Sequence, residues 1–232
     1  MDAIKKLLSV ALAEEGYLEK ASNSQLDEKT ANAGKNNWTK YARDLDKLKA
    51  YNGAKNGYDW CDVFVDWCFV QAFGLARGLQ VTCQPQGGYG AGCTGSANYY
   101  KACNRFHKKD PSPGDQIFFS NDGGKSMCHT GIVEFFKDGK VYTIEGNTSA
   151  AEWMVANGGC VRRKSYSLSY NRIAGYGRPD FSLVKEGKGV SKDEAKKIVQ
   201  TKAGLSDATI NYIADDYRYG DELIVKLAEA MK

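Results

Sequence analysis

At 232 residues, with 26% charged and 42% hydrophobic residues, the chain can build one large domain, or one domain plus a small one, around a sizeable core. A net charge of +4 is mild: it is compatible with an anionic surface without demanding one, and no nucleic-acid partner is expected. No stretch approaches the ~18 apolar residues of a membrane span, so no membrane insertion is expected.

In chain order, residues 2–15 come first. Lys5-Lys6 and the short apolar run 7–13 look faintly like a signal peptide, but Glu14-Glu15 follow at once. Ile4, Leu7, Leu8, Ala11 and Leu12 line one helical face, so a structural helix is expected, in a chain made in the cytoplasm without a clear signal. Residues 16–36 read as loop, and 37–48 as a second amphipathic helix through Trp38, Tyr41, Ala42, Leu45 and Leu48.

The stretch 57–75 organises the rest. Cys61, Phe64, Val65, Cys68 and Ala72 form one helical stripe, Val63, Trp67 and Val70 a second, and Gly74 is a natural stop. A helix apolar on two sides is buried on both. Cys61 sits in its first turn, where unpaired N–H groups and the helix dipole stabilise a thiolate. A free cysteine is more often a small buried hydrophobe. That reading suits Cys68, whereas the position of Cys61 makes it the candidate nucleophile.

The glycine-rich residues 84–95 lack the lysine and spacing of a phosphate-binding loop and read as a surface turn, lining a groove with Trp60 and Tyr89. A short helix over 96–103, capped by Thr94 or Ser96, follows. From Pro111 the texture turns to strand: 116–119, 130–136, 140–145, one near 160–165, and a closing segment 173–179. Helices first and antiparallel strands after give an α+β fold. Residues 184–190 read as a linker. Beyond it lie three short helices: one opened by the capping box Ser191-Lys192-Asp193-Glu194, one with Ile210, Ile213, Ala214 and Tyr217 inward, and one with Leu223, Leu227 and Met231 inward. Domains are therefore expected at 1–183 and 191–232.

Seven cysteines without C-x-x-C spacing, and two histidines, disfavour a structural zinc site; the thiols are expected to be reduced. A thiol nucleophile needs a base and a group to orient it. His107, in a basic loop, reads as a solvated surface histidine. His129 opens an apolar strand, either as a satisfied edge residue or as the base. A three-residue loop at Lys137-Asp138-Gly139 pairs Phe136 with Lys140, which puts His129 opposite Asn147 and Gly131 opposite Glu145. His129, Glu145 and Asn147 then share a face with Val133 and Val141. A two-residue loop would put His129 and Glu145 on opposite faces. If that face packs on the central helix, His129 is the base for Cys61, Glu145 or Asn147 holds its ring, and the Cys61 backbone N–H receives the oxyanion.

Trp60-Cys61-Asp62-Val63-Phe64-Val65-Asp66-Trp67-Cys68, then Pro113-Gly114-Asp115-Gln116-Ile117-Phe118-Phe119, His129-Thr130-Gly131-Ile132-Val133 and Ile144-Glu145-Gly146-Asn147-Thr148 resemble, in order, the motifs of the CHAP family. These are cysteine, histidine-dependent amidohydrolases/peptidases. The resemblance spans roughly residues 1–180. It implies a papain-like α+β fold and hydrolysis of amide bonds in bacterial cell-wall peptidoglycan. It carries the nucleophile to Cys61, the base to His129 and the orienting group to Glu145, with Asn147 in support. With its small C-terminal module, the chain looks like a phage endolysin or a related wall hydrolase. Some members hold calcium just before the cysteine. Here residues 52–59 carry one carboxylate and a lysine, so no metal is expected, and Asp59, Asp62 and Asp66 read as helix-start carboxylates. Residues 191–232 are read as a wall-binding module, or else as a docking or oligomerising bundle. The rival functions are a cysteine protease or transamidase acting on protein, and a non-catalytic wall-binding protein.

Overall fold

The computed structural model describes residues 2–88, 90–184, 191–217 and 220–231. Residues 185–190 of the expected linker, and Tyr89 of the expected groove, lie outside the described residues. The chain divides into two compact units, Met1–Lys185 and Glu186–Lys232.

The first unit is α+β. Its helices are α1 (Ala3–Ala13), α2 (Lys40–Lys47), α3 (Cys61–Phe73), α4 (Leu75–Val81) and α5 (Cys93–Ala102). In α3 only Gln71 is exposed, and the helix packs against α1, α2 and α4. Leu7 and Ala11 of α1 and Tyr41, Ala42 and Leu45 of α2 are fully buried in the same core. Gly74, at φ 79°, ends α3. The short α4 was not anticipated: Gly78 presses on the Phe69 backbone, where a Cβ would come within 2.8 Å, a tertiary contact with no local signature. Helix α5 starts three residues earlier than expected and has no side-chain cap. The two hydroxyls expected to cap it serve other partners: Thr94 Oγ1 accepts the Met127 N–H at 2.9 Å, and Ser96 Oγ donates to Asp62 at 2.7 Å.

Six antiparallel strands follow: β1 (Phe106–His107), β2 (Gln116–Phe119), β3 (His129–Lys137), β4 (Lys140–Thr148), β5 (Cys160–Ser167) and β6 (Ile173–Gly177), in the order β1-β6-β2-β3-β4-β5. His107, expected in a loop, lies half-buried on the short edge strand β1. Helix α3 also packs on β3 and β4, with Ile132 and Ile144 in its core. Gly146 permits this approach, since a Cβ there would come within 2.5 Å of the Phe64 side chain.

The β3–β4 hairpin corrects two expectations. Lys137 pairs with Lys140, so the loop is the two residues Asp138-Gly139, both at positive φ as a primed turn requires. Run straight, that register would separate His129 from Glu145. A bulge at Glu134 absorbs one residue, and beyond it Val133 pairs with Thr143 and Ile132 with Ile144, the expected alignment. The second correction concerns the face. Val133 and Val141 pack with Ile117, Phe119, Tyr166 and Tyr176, in a cluster without any α3 residue. The face that carries the acid and base is thus not the one that covers the body of α3.

The second unit holds α6 (Lys192–Ala203), α7 (Asp207–Asn211) running into a π-helical turn (Tyr212–Asp216), and α8 (Gly220–Ala230). Ser191 caps α6 through the Glu194 N–H at 3.2 Å, and Gly204, left-handed at φ 65°, ends it. Its core is Ala195, Val199, Ile210, Ala214, Ile224 and Ala228. The inward face of α8 is therefore rotated from the expected one: Leu223 is exposed, and Leu227 and Met231 are only partly buried. Tyr217 is exposed as well.

Candidate active site

Cys61 is the first residue of α3 and His129 the first of β3, and the two meet where these elements begin. The His129 ring leans on Phe119, with ring centroids 5.8 Å apart, and its Nε2 lies 2.9 Å from Glu145 Oε2. Glu145 is fixed from two further sides. Tyr166 donates its hydroxyl to Oε2 at 3.1 Å, and Thr143 donates to Oε1 at 2.5 Å. All four residues are buried. Gly131 makes room for the carboxylate stem: a Cβ there would stand 2.5 Å from Glu145 Cγ.

With Nε2 committed to Glu145, Nδ1 is the ring nitrogen left for Cys61. It makes no hydrogen bond, but it lies near enough to Cys61 for the charge of each group to act on the other. The Cys61 sulfur also receives the Asp62 backbone N–H, one of the open donors of the helix start. A second thiol, Cys93 at the start of α5, lies with its sulfur 3.5 Å away. That hydrogen bond is the strongest influence on Cys61; burial opposes it, and His129 adds to it, so the Cys61 thiol is brought down to about 5. Cys93 is pushed the other way, first by the same hydrogen bond and then by burial, and keeps its proton. Burial works against a charged His129, but Cys61 and Glu145 outweigh it and raise the ring to about 9. Both directions of shift favour a thiolate facing an imidazolium, the form a cysteine nucleophile needs.

Asn147 sits apart from the imidazole's hydrogen bonds. At φ 55° it occupies the irregular end of β4, where its Oδ1 accepts the Gly159 N–H at 3.1 Å and its carbonyl accepts the Gly158 N–H at 2.8 Å. It pins the 149–159 loop against the strand. Trp60 does not line a groove: it is buried against Tyr41 and donates Nε1–H to Glu19 at 2.9 Å.

Asp62 and Asp66 are not surface dipole partners. Asp62 accepts from Ser96 and from Gln116, the latter at 2.9 Å; Asp66 accepts from Tyr51 at 2.8 Å and Gln84 at 2.5 Å. Burial, then the charge of Asp66, pushes Asp62 well above the carboxylate range, and burial brings Asp66 up to about 7. These carboxyls tie α3 to α5, β2 and the loop before it. Several oxygen atoms before the cysteine accept from donors within the protein. Asn52 Oδ1 takes the Lys55 ammonium at 3.1 Å, Asn56 Oδ1 takes the Thr39 N–H, and both Asp46 oxygens take backbone N–H groups of Lys55 and Asn56.

Three contributors escape sequence reasoning: Thr143, Tyr166 and Cys93. Thr143 lies two residues from Glu145 on the same face, so alternation points to it. Tyr166 is found only once β5 is paired, opposite Val141. Cys93 lies in a glycine-rich stretch with no local signal.

Residues 53–147 match the family described as the CHAP domain, a span from just before α3 to the end of the acid-bearing strand. No curated protein matches the chain. The domain implies cysteine- and histidine-dependent amidohydrolase or peptidase activity, directed at peptidoglycan of the cell wall. Among the described residues no helix is long and apolar enough to cross a membrane.

Proposed function

Since the chain carries a CHAP domain, we propose that it is an endolysin-like peptidoglycan hydrolase that cuts an amide of the stem peptide, the cross-bridge or the muramoyl–alanine link. The observation that carries this reading is the Glu145-anchored His129 beside a thiol at a helix start. Cys61 is the nucleophile, His129 the acid and base, and Glu145 the orienting group; Asn147 supports them by holding the 149–159 loop.

The Cys61 thiolate attacks the amide carbonyl carbon, and the oxyanion is received at the Cys61 N–H at the start of α3. His129 gives its Nδ1 proton to the leaving amine as the C–N bond breaks, which leaves a thioester. Neutral His129 then takes a proton from water. The hydroxide formed displaces Cys61, releasing the carboxylate product and restoring the thiolate. Nε2–H stays on Glu145 throughout, so the ring keeps one orientation.

Residues 191–232 are assigned to wall binding, which raises the local concentration of the catalyst. Tyr212 and Tyr217 are exposed among the described residues of this range.

Purified walls test the proposal. Turbidity falls with the intact chain and not with Cys61→Ala or His129→Ala, and mass spectrometry of the released muropeptides identifies the new termini. Walls left intact by the folded protein, or cleared equally by Cys61→Ala, overturn it.

A further inference from the structure

One thiol beside the nucleophile forms and breaks no bond in the steps above. Cys93 is buried at the first turn of α5, and its sulfur lies 3.5 Å from that of Cys61. A disulfide needs ~2.05 Å between sulfurs, so closing the gap takes a movement of ~1.5 Å, within reach of side-chain rotation and a small helix shift. We propose that Cys61 and Cys93 form a resolving pair, a modification site at which a peroxide converts the nucleophile reversibly to a Cys61–Cys93 disulfide.

Chemistry assigns each thiol its part. The Cys61 thiolate attacks one peroxide oxygen. The O–O bond breaks, Cys61 becomes a sulfenic acid, and the peroxide leaves as an alcohol, or as water from hydrogen peroxide, after taking a proton. Cys93 then attacks the Cys61 sulfur. The S–O bond breaks, hydroxide departs with the Cys93 proton as water, and the disulfide remains. Overall two thiols lose two electrons and two protons to one peroxide. The order is set by charge. Cys93 is kept protonated first by its hydrogen bond to Cys61 and then by burial. Oxidation of Cys61 to a neutral sulfenic acid removes the thiolate, so Cys93 becomes the better nucleophile when it is needed.

Access favours the small oxidant. Cys61 is 4% exposed and Cys93 7%, so hydrogen peroxide, the smallest peroxide, is the oxidant to use. Two other arrangements compete. Cys128 lies near enough to feel the charge of Cys61, and Cys83 hydrogen-bonds with Cys103. The test must therefore identify partners as well as count thiols.

The full chain is treated with a few molar equivalents of hydrogen peroxide, enough for two successive oxidations of one thiol, then alkylated under denaturing conditions and mapped by mass spectrometry. The expected product is a Cys61–Cys93 linked peptide, with a loss of about 2 Da, that dithiothreitol reverses. In parallel, wall clearing falls at least tenfold on oxidation and returns on reduction. In Cys93→Ser and Cys93→Ala the link cannot form. There Cys61 advances to sulfinic acid, and reduction restores less than half of each variant's own untreated activity. Cys61 linked to Cys128, sulfinic Cys61 in the wild type at the same dose, or equal recovery in the variants overturns the proposal. The peptide map needs no catalysis and no variant. If walls are never cleared, the hydrolase reading fails while the thiol pair is still judged.

Discussion

Gly131→Ala is the sharpest probe of how the acid is held. No positive φ requires glycine at this position, so the substitution acts through space alone. The new methyl would stand 2.5 Å from Glu145 Cγ and 3.0 Å from the Ile144 carbonyl oxygen. Carbons in contact sit ~3.5–4.0 Å apart, so the Glu145 stem must retreat by ~1 Å or more. The carboxylate cannot do so and keep the Tyr166, Thr143 and His129 contacts at 3.1, 2.5 and 2.9 Å. Misplacing a catalytic group by ~1 Å costs up to ~100-fold, equivalent to ~2.7 kcal/mol of barrier. The overpacked strand also costs ~1–3 kcal/mol of stability. The measurement is the initial rate of wall clearing, well below the midpoint of thermal unfolding, beside a urea titration of the same protein. We expect a 30- to 100-fold slower rate, on the order of the misplacement cost, in a chain that is still folded. A folded Gly131→Ala that clears walls at the wild-type rate would show that the Glu145 position is not critical and would refute this account of the site.

Cys61, brought down to about 5, loses its nucleophilic form as pH falls through that value, and His129, raised to about 9, loses its proton as pH rises through that one. Wall clearing should therefore be bell-shaped with a plateau between these limits, and iodoacetamide should alkylate Cys61 at a nearly constant rate from about pH 6 to 8; a rate that climbs steadily through pH 8.5 contradicts the thiolate assignment. Tyr166→Phe keeps the ring stack on Tyr170 and removes one donor from Glu145; kcat should drop by roughly tenfold, with stability lowered by only ~1 kcal/mol in a urea titration. Gly146→Ala forces a Cβ into Phe64 and should lower the stability of the first unit by ~1–3 kcal/mol, read as a lower thermal midpoint. Ser191→Ala removes the cap of α6 and should cost ~1 kcal/mol, seen as faster amide exchange over 192–203 with Cys61 alkylation unchanged.

Much of this arrangement can be read from the residues because local and tertiary preferences agree in them. Two apolar stripes with Gly74 behind them specify α3 and its burial, and an imidazole at the mouth of an apolar strand marks β3. What escapes reading depends on partners distant in sequence. Asp62 and Asp66 look like dipole carboxylates until Ser96, Gln116, Tyr51 and Gln84 are seen to enclose them. Helix α4 exists because Gly78 lets it lie on Phe69. The face of α8 turns because Ala228, too small to stand out in a hydropathy pattern, is what its neighbours cover. Cys93 gains its meaning only from a sulfur thirty-two positions away.

The extra residue at Glu134 gives this hairpin an uneven tolerance of length change. Shortening β3 by that one residue would leave Val133 opposite Thr143 and the imidazole still on the carboxylate's side, at the expense of the Glu134–Arg163 ion pair. Removing any residue between His129 and Val133 would send the imidazole, and the strand residues before the gap, through to the opposite surface. Natural or engineered variants that differ by a single codon in this ribbon should thus fall into two groups, active and dead, according to the side of Glu134 on which the deletion lies.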